Sequence, residues 1–359
     1  MNVSRSPHKR MKRYAGIIGF LVVLPLITWY VAVQALAPAG TLLDLAGYIG
    51  SAYPETVSDP TASKPESKLW WHDGIWWGVL FASDGSGGGS FNIHRYDWGN
   101  KEWIDTGVVI DTRLNITADV LWDDSSNKVY IVAHKYDTGP NSVNPGDGGK
   151  LYRFSYDAVA RTYSLDDSFP VEIALHGTES MVLTKDSTGQ LWTTFVSIAD
   201  GSAKYEVFVN RSLGDDLTWG EPFTLGTVDK DDVSSVVAFT DSEGAKVGIL
   251  WSDQDGTPKF HFSTHLDSDD VDTNWKAETG IESLETSDDS VNMVAYNGHI
   301  YAAVQTVNTG SADIGIGLMH RTPAGVWSVN AVTPVSATDA RPIVVIDQGA
   351  PATNGDEFL

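Results

Sequence analysis

Carboxylates recur at one slot of this chain. Short apolar runs stand at Lys68–Trp71 (KLWW), Asp119–Trp122 (DVLW), Ser180–Leu183 (SMVL), Ser235–Phe239 (SVVAF), Asn292–Tyr296 (NMVAY) and Arg341–Asp347 (RPIVVID). At or just before them come Glu66 and Lys68; Arg113, Asn115 and Asp119; His176 and Glu179; Asp231 and Asp232; Asp288, Asp289 and Asn292; and Asp339 and Arg341. Carboxylates gathered with two arginines can hold a Ca2+, which takes about six to eight oxygen ligands. They can bind sugar hydroxyls by charge-assisted hydrogen bonds. A pair at suitable separation can hydrolyse a glycosidic bond. The candidates for such a pair are Asp119, Glu179, Asp232 and Asp289. The wider ligand-binding set is Glu66, Lys68, Arg113, Asp119, Glu179, Asp232, Asp289, Asn292 and Arg341. The plain alternative is that these are solvated loop acids.

Other chemistries find less support. The chain has no cysteine, which removes disulfides, thiolate metal sites and cysteine nucleophiles. DGSGGGS (Asp84–Ser90) is glycine-rich but has no following helix or Lys-Ser/Thr to hold a phosphate. His261 and His265 are four apart, about 13 Å along a strand, too far for one metal. Ser and Asp crowd every turn, so spacing selects no Ser-His-Asp set. The net charge is −23 over 359 residues, and five basic residues lie within the first 13, so the remainder is more acidic still. Such a surface repels nucleic acid and anionic lipid; its natural partners are cations, neutral glycans or basic surfaces.

The elements that must position these carboxylates repeat. Aromatics follow turns at Trp103, Tyr163, Trp219, Trp275 and Trp327, at intervals of 60, 56, 56 and 52 residues. Each unit holds a short apolar strand, a turn of Asp, Gly, Asn or Ser, and a second strand. A third strand and a fourth with the aromatic complete it. The strands are rich in β-branched and aromatic residues, and no segment after the N-terminal apolar run shows a long 3.6-residue period. Four-stranded units in series predict an all-β fold, a β-propeller. Five units are complete and RPIVVID begins a sixth, so the expectation is a six- or seven-bladed propeller of which this is a part. First strands then start at one mouth of a central channel, placing the carboxylates there. The loops Ser83–Ser90 and Thr138–Gly149 share that end, and the turns before the aromatics lie at the other. The Trp pairs of KLWWHDGIWWGVLF (Lys68–Phe81) are scaffold on this phase, one Trp of each pair packing between blades.

The turns before Trp219 and Trp275 resemble the Asp-box, Ser-x-Asp-x-Gly-x-Thr-Trp, of sialidase-like propellers. SLGDDLTW keeps Ser212, Thr218 and Trp219, with Gly214 and Asp216 in place of the Asp and Gly; SDDVDTNW keeps Ser268, Asp270 and Trp275, with Asp272 and Asn274 substituted. The chain from Lys64 to Asp347 is similar to exported bacterial propellers of this kind. The resemblance implies structural Asp-boxes and a ligand at the channel mouth. Sialidase chemistry would need an arginine triad and a Tyr–Glu pair. Only Arg113 and Arg341 occupy the inner slot, while Arg95, Arg153, Arg211 and Arg321 repeat near the third strand's end, where a structural role is expected. The reading is therefore recognition of a glycan or polymer without hydrolysis. The alternatives are a glycoside hydrolase or lyase, and a structural repeat module of a larger surface protein.

The N-terminus explains how such a domain reaches its ligand. Residues 1–13 are basic and Tyr14–Ala37 is an uncharged apolar run long enough to cross a bilayer, with the basic flank inside. It is either an uncleaved anchor or a signal peptide cut after Ala35-Leu36-Ala37. Residues 38–63 are a Pro/Ser/Thr-rich linker, 64–348 the propeller and 349–359 the start of a further segment. The expected location is the outer face of the cell membrane, or secretion.

Overall fold

In the computed structural model the chain parts into two units, Met1–Ser51 and Ala52–Leu359. The residues described are 57, 64–136, 146–198, 204–255, 258–281, 287–306, 314–334 and 341–346. The N-terminal basic and apolar segments, nearly all of the linker, Asp339 and residues 349–359 lie outside them. Among the described residues no helix is long and apolar enough to cross a membrane.

The described chain is all β and forms five antiparallel sheets, each in sequence order. The first holds β1 (Leu69–His72), β2 (Ile75–Ser83), β3 (Gly89–Asp97) and β4 (Glu102–Asp111). The second holds β5 (Ile116–Asp123), β6 (Lys128–Lys135), β7 (Lys150–Asp157) and β8 (Thr162–Leu165), with the short β9 (Val171–Glu172) also pairing with β7. The third holds β10 (Met181–Lys185), β11 (Leu191–Ile198), β12 (Tyr205–Arg211) and β13 (Phe223–Val228). The fourth holds β14 (Ser234–Asp241), β15 (Gly244–Asp253), β16 (Lys259–Leu266) and β17 (Lys276–Ala277). The fifth holds β18 (Ser287–Tyr296), β19 (His299–Thr306), β20 (Ile316–Arg321) and β21 (Trp327–Thr333). These are the expected five blades of a β-propeller.

The core lies between consecutive sheets rather than within any one. Trp70 and Trp77 pack with Ile116, Tyr156 and Tyr163 between the first two sheets. Val132 and Leu151 meet Met181 and Leu183 across the next gap. Trp192 and Val207 meet Val236 and Ile249, and Phe239 and Leu250 meet Val291 and Ile300. Strand alternation makes this arrangement: successive side chains face opposite neighbours. In the HDG hairpin Trp70 pairs with Trp77 and both are buried, while the next pair, Trp71 and Trp76, is exposed. The buried Trp70 indole donates to Tyr163 Oη at 2.9 Å, tying the first sheet to the second. The sixth apolar run is seated on the fifth sheet: Val344 is buried against Tyr301 and Ala303.

The Asp-box phase differs from the expected one. Asp215 Oδ1 accepts the Leu217 and Thr218 amides, and Asp269 Oδ1 the Val271 amide. The capping carboxylate is thus one residue later than Gly214 in one turn and one earlier than Asp270 in the other. Asp97 and Asp157 cap the equivalent turns of the first two sheets. Asp216 and Asp272, at the motif's Gly position, serve another purpose. Arg153 of the second sheet reaches Asp216 at 2.7 Å, and Arg211 of the third pairs with Asp272. The motif is degenerate where an inter-sheet ion pair replaces a glycine.

Candidate functional site

The innermost strand of each sheet leaves one edge without a partner strand, and its N–H groups need other acceptors. Several of the expected ligand-binding residues meet that need. Asp119 Oδ1 accepts the Ser67 amide at 2.8 Å and Oδ2 the Leu183 amide at 2.9 Å. Glu66 Oε1 accepts the Met181 amide at 2.9 Å and also meets Thr117 Oγ1 at 3.2 Å and His134 Nε2 at 2.5 Å. Thr184 Oγ1 accepts the Ala238 amide at 3.2 Å, and Asn292 Oδ1 the Val344 amide at 3.0 Å. An acceptor on one innermost strand takes an N–H of the next. Asn292 and Asp119 do this from the same place, four residues before their strands end.

Others are bound up locally. Asp232 is fully buried; its oxygens accept the Asp229 and Gln254 amides, the Ser252 hydroxyl and the Gln254 side chain. Arg113 pairs with Asp111 at 2.7 Å and donates to the carbonyls of Gly146, Gly148 and Ala133, holding the β6–β7 loop to its sheet. Lys68 is buried, its ammonium 5.3 Å from the centre of the Phe91 ring. Arg341 is exposed, and its amide meets Oε1 of Gln305, the side chain that also donates to Asp288, at 3.3 Å.

What converges at the strand-start end is a smaller set. Lys64, just ahead of β1, sends its ammonium between Glu179, just ahead of β10, and Asp289 at the start of β18, pairing with both. Three alternate sheets thus meet through one nitrogen. Burial alone would lower the lysine's pKa, but the two carboxylates outweigh it and raise it. Beside Asp289, Asp288 accepts Gln305 Nε2 at 2.9 Å and the Asp289 amide at 2.8 Å, and burial pushes its pKa up. Asp231 meets Lys230 only at 3.9 Å on the rim.

Glu179 is the distinctive member. It is 4% exposed, and its Oε2 has no hydrogen-bond partner among the described residues. Burial raises its pKa to about 7; Lys64 opposes the rise, and the charges of Asp289 and Asp231 add to it. Asp119 is also raised to about 7 by burial, but both its oxygens are occupied. Among the described residues no three His, Cys, Asp or Glu side chains converge to hold a metal ion. The Ca2+ expected from the carboxylates therefore has no formed cage there.

Sequence reasoning selected Glu179 and Asp289 but passed over Lys64. The signal available was the single basic residue of the Pro/Ser/Thr-rich stretch before Lys68, four residues ahead of it. Strand alternation could not separate the two lysines, because Lys64 sits at φ 47° outside the strand.

The opposite end also has a concavity, about 570 Å3, lined by Trp122, Asp123, Lys185 and Asp186 among others. Its acids are partnered: Lys185 pairs with Asp123 at 2.6 Å, Asp186 accepts the Trp192 indole at 2.8 Å and Asp124 the Trp122 indole at 2.6 Å.

No protein-family model matches the chain, and no curated protein matches it. Solved structures do resemble it. An α-L-arabinanase from Penicillium chrysogenum, complexed with arabinobiose, superposes with a TM-score of 0.50 at 12% identity, over 83% of this chain and 88% of its own. An endo-arabinase from Bacteroides thetaiotaomicron gives 0.40 at 14%, over 80% and 99%. The polysaccharide lyase Uly1 gives 0.44 at 10%, over 88% and 85%. At these identities the likeness to the first shows the fold.

Proposed function

We propose that this chain is an exported, sialidase-like β-propeller that recognises a glycan at the strand-start mouth of its channel and does not hydrolyse it. The observation that carries the reading is the Lys64 ammonium lodged between Glu179 and Asp289. Two oxygens bonded to one nitrogen lie within roughly 5–6 Å of each other. A carboxylate pair that attacks a sugar in retaining enzymes stands about 5–5.5 Å apart with the sugar between. Here the space between them holds a cation instead of a sugar ring. Glu179 Oε2, which has no hydrogen-bond partner among the described residues, remains to accept a hydroxyl or a charged donor. Export rests on the basic flank and apolar run at the N-terminus, and the sialidase-like reading on the repeat and its Asp-capped turns.

A glycan array probed with the wild type and with Glu179→Gln tests this. Retention of one glycan class by the wild type, weakened at least tenfold in the variant, supports it. No retained glycan, or equal retention by both, contradicts it.

One observation favours hydrolysis as a second reading. A carboxyl raised to about 7 by burial is suited to general acid work near neutral pH. Reducing-end release from a polysaccharide panel, abolished by Glu179→Ala, would establish that reading in place of the first.

A further inference from the structure

The charges at the mouth do not balance. Glu179, Asp288 and Asp289 face a single ammonium, Lys64, while Asp231 and Lys230 form a loose pair at the rim. Elsewhere several buried carboxylates have cationic partners, while Asp119 and Asp232 are satisfied by neutral donors and Asp267 Oδ1, at the other end, also lacks a donor among the described residues. Asp241 has Lys246 and Arg321, Asp166 has Lys128 and Arg153, and Asp111 has Arg113 and the Tyr152 hydroxyl. At the mouth a nearly sealed carboxylate oxygen, Glu179 Oε2, has no donor at all among the described residues. Leaving such an atom unpaired is costly, so the site is built for something that arrives.

We propose that this oxygen, with Asp288 and Asp289 alongside, is the seat of a second ammonium group, brought by the free amine of an amino sugar chain that lacks N-acetyl groups. The inference rests on the glycan-binding reading above and names its substrate class. Lys64 demonstrates the fit: a tetrahedral ammonium already lies between carboxylates of two sheets, donating to both. An ammonium needs only two or three acceptors in a loose arrangement. Ca2+ needs about six to eight oxygens, and no such cage is formed among the described residues. The raised pKa of Glu179 agrees: with no second cation present, a proton fills the role. A net charge of −23 draws a polycation toward the surface from a distance. Sugar hydroxyls flanking the amine would meet the side chains around Glu179, which a simple polyamine does not offer.

Isothermal titration at fixed ionic strength compares four probes: a glucosamine hexamer, its fully N-acetylated counterpart, spermidine and CaCl2. The expected result is that the glucosamine hexamer binds at least tenfold more tightly than the acetylated hexamer and than spermidine. Glu179→Gln should weaken it at least tenfold. Asp288→Asn, on a partly exposed side chain, should weaken it about threefold and serves if the first variant does not fold. Lys64→Ala, which removes the competing ammonium, should tighten binding, a gain that misfolding cannot mimic. Equal or tighter binding of the acetylated hexamer overturns the ammonium seat while leaving glycan recognition standing. Spermidine binding as tightly as the hexamer overturns the amino sugar as the source. Binding of Ca2+ without the hexamer overturns both this inference and the glycan reading at this mouth.

Discussion

At the turn end, Arg321 meets Glu278 at 2.6 Å and Asp241 at 3.0 Å, and Lys246 joins Asp241 at 3.0 Å. At the strand-start end, one ammonium serves Glu179 and Asp289 with Asp288 beside them, and one buried oxygen has no donor among the described residues. Both regions are acidic and both join several sheets. They differ in whether the account of partners closes. Where it closes, the charges brace the scaffold; where it stays open, a donor is still to be supplied. Acid content alone does not locate the site, since Asp119 and Asp232 are as buried as Glu179 and fully occupied.

The contrast can be broken by substitution, and the largest effect should come from the turn end. Arg321→Met strands Glu278 and takes from Asp241 one of its two cations, and should cost about 3–5 kcal/mol in urea unfolding. A loss under about 1 kcal/mol would mean the cluster is not bracing the fourth and fifth sheets. Asp119→Ala leaves the Ser67 and Leu183 amides without acceptors. It should cost about 1–3 kcal/mol, mostly from the buried Leu183 donor left unpaired, since Ser67 is exposed.

Next in size is a pH effect in which the two ends act oppositely. For Glu179 and Asp119 the folded-state pKa lies above the unfolded one, so the folded protein holds protons that the unfolded chain has released. Their contribution to stability therefore falls as pH rises from the ordinary carboxylate range toward about 7. At the turn end, Asp166 and Asp241 are depressed by Lys128 and Lys246 against the opposing effect of burial. Their contribution is present above the ordinary carboxylate range and lost as pH falls below it. Stability should peak between the two. Relative to the wild type, Glu179→Gln should flatten the alkaline decline by about 2 kcal/mol while leaving the acid limb unchanged. Urea midpoints across pH 3–8 read both limbs; an unchanged alkaline limb would mean Glu179 is not perturbed. The smallest effect belongs to the exposed Lys276–Glu243 pair at 3.3 Å, where Lys276→Ala should leave the urea midpoint unchanged.

The fold was legible because strand and turn chemistry repeat. KLWW, DVLW, SMVL, SVVAF and NMVAY all fall in innermost strands, and the aromatic pairs of the HDG hairpin split into buried and exposed faces as alternation requires. The site was legible only in outline. The slot ahead of each innermost strand did contain Glu179 and Asp289. The same pattern also picked out Glu66, ahead of β1, and Asp119 and Asn292, inside β5 and β18, whose oxygens go to amides of other innermost strands. Whether a carboxylate meets an amide or open space depends on the rotation between adjacent sheets, which residue spacing does not encode. Lys64 was invisible for a related reason: its reach across the channel follows from a left-handed bend at φ 47°, not from any strand pattern.

The most direct test of the open account is the titration of one carboxyl. A 13C NMR titration of Glu-labelled protein, with the Glu179 signal assigned through Glu179→Gln, should give a midpoint near 7 in the free protein. Addition of the glucosamine hexamer should move that midpoint down by at least one unit, because an ammonium would replace the proton. A midpoint in the ordinary carboxylate range in the free protein, unmoved by the hexamer, would contradict the account.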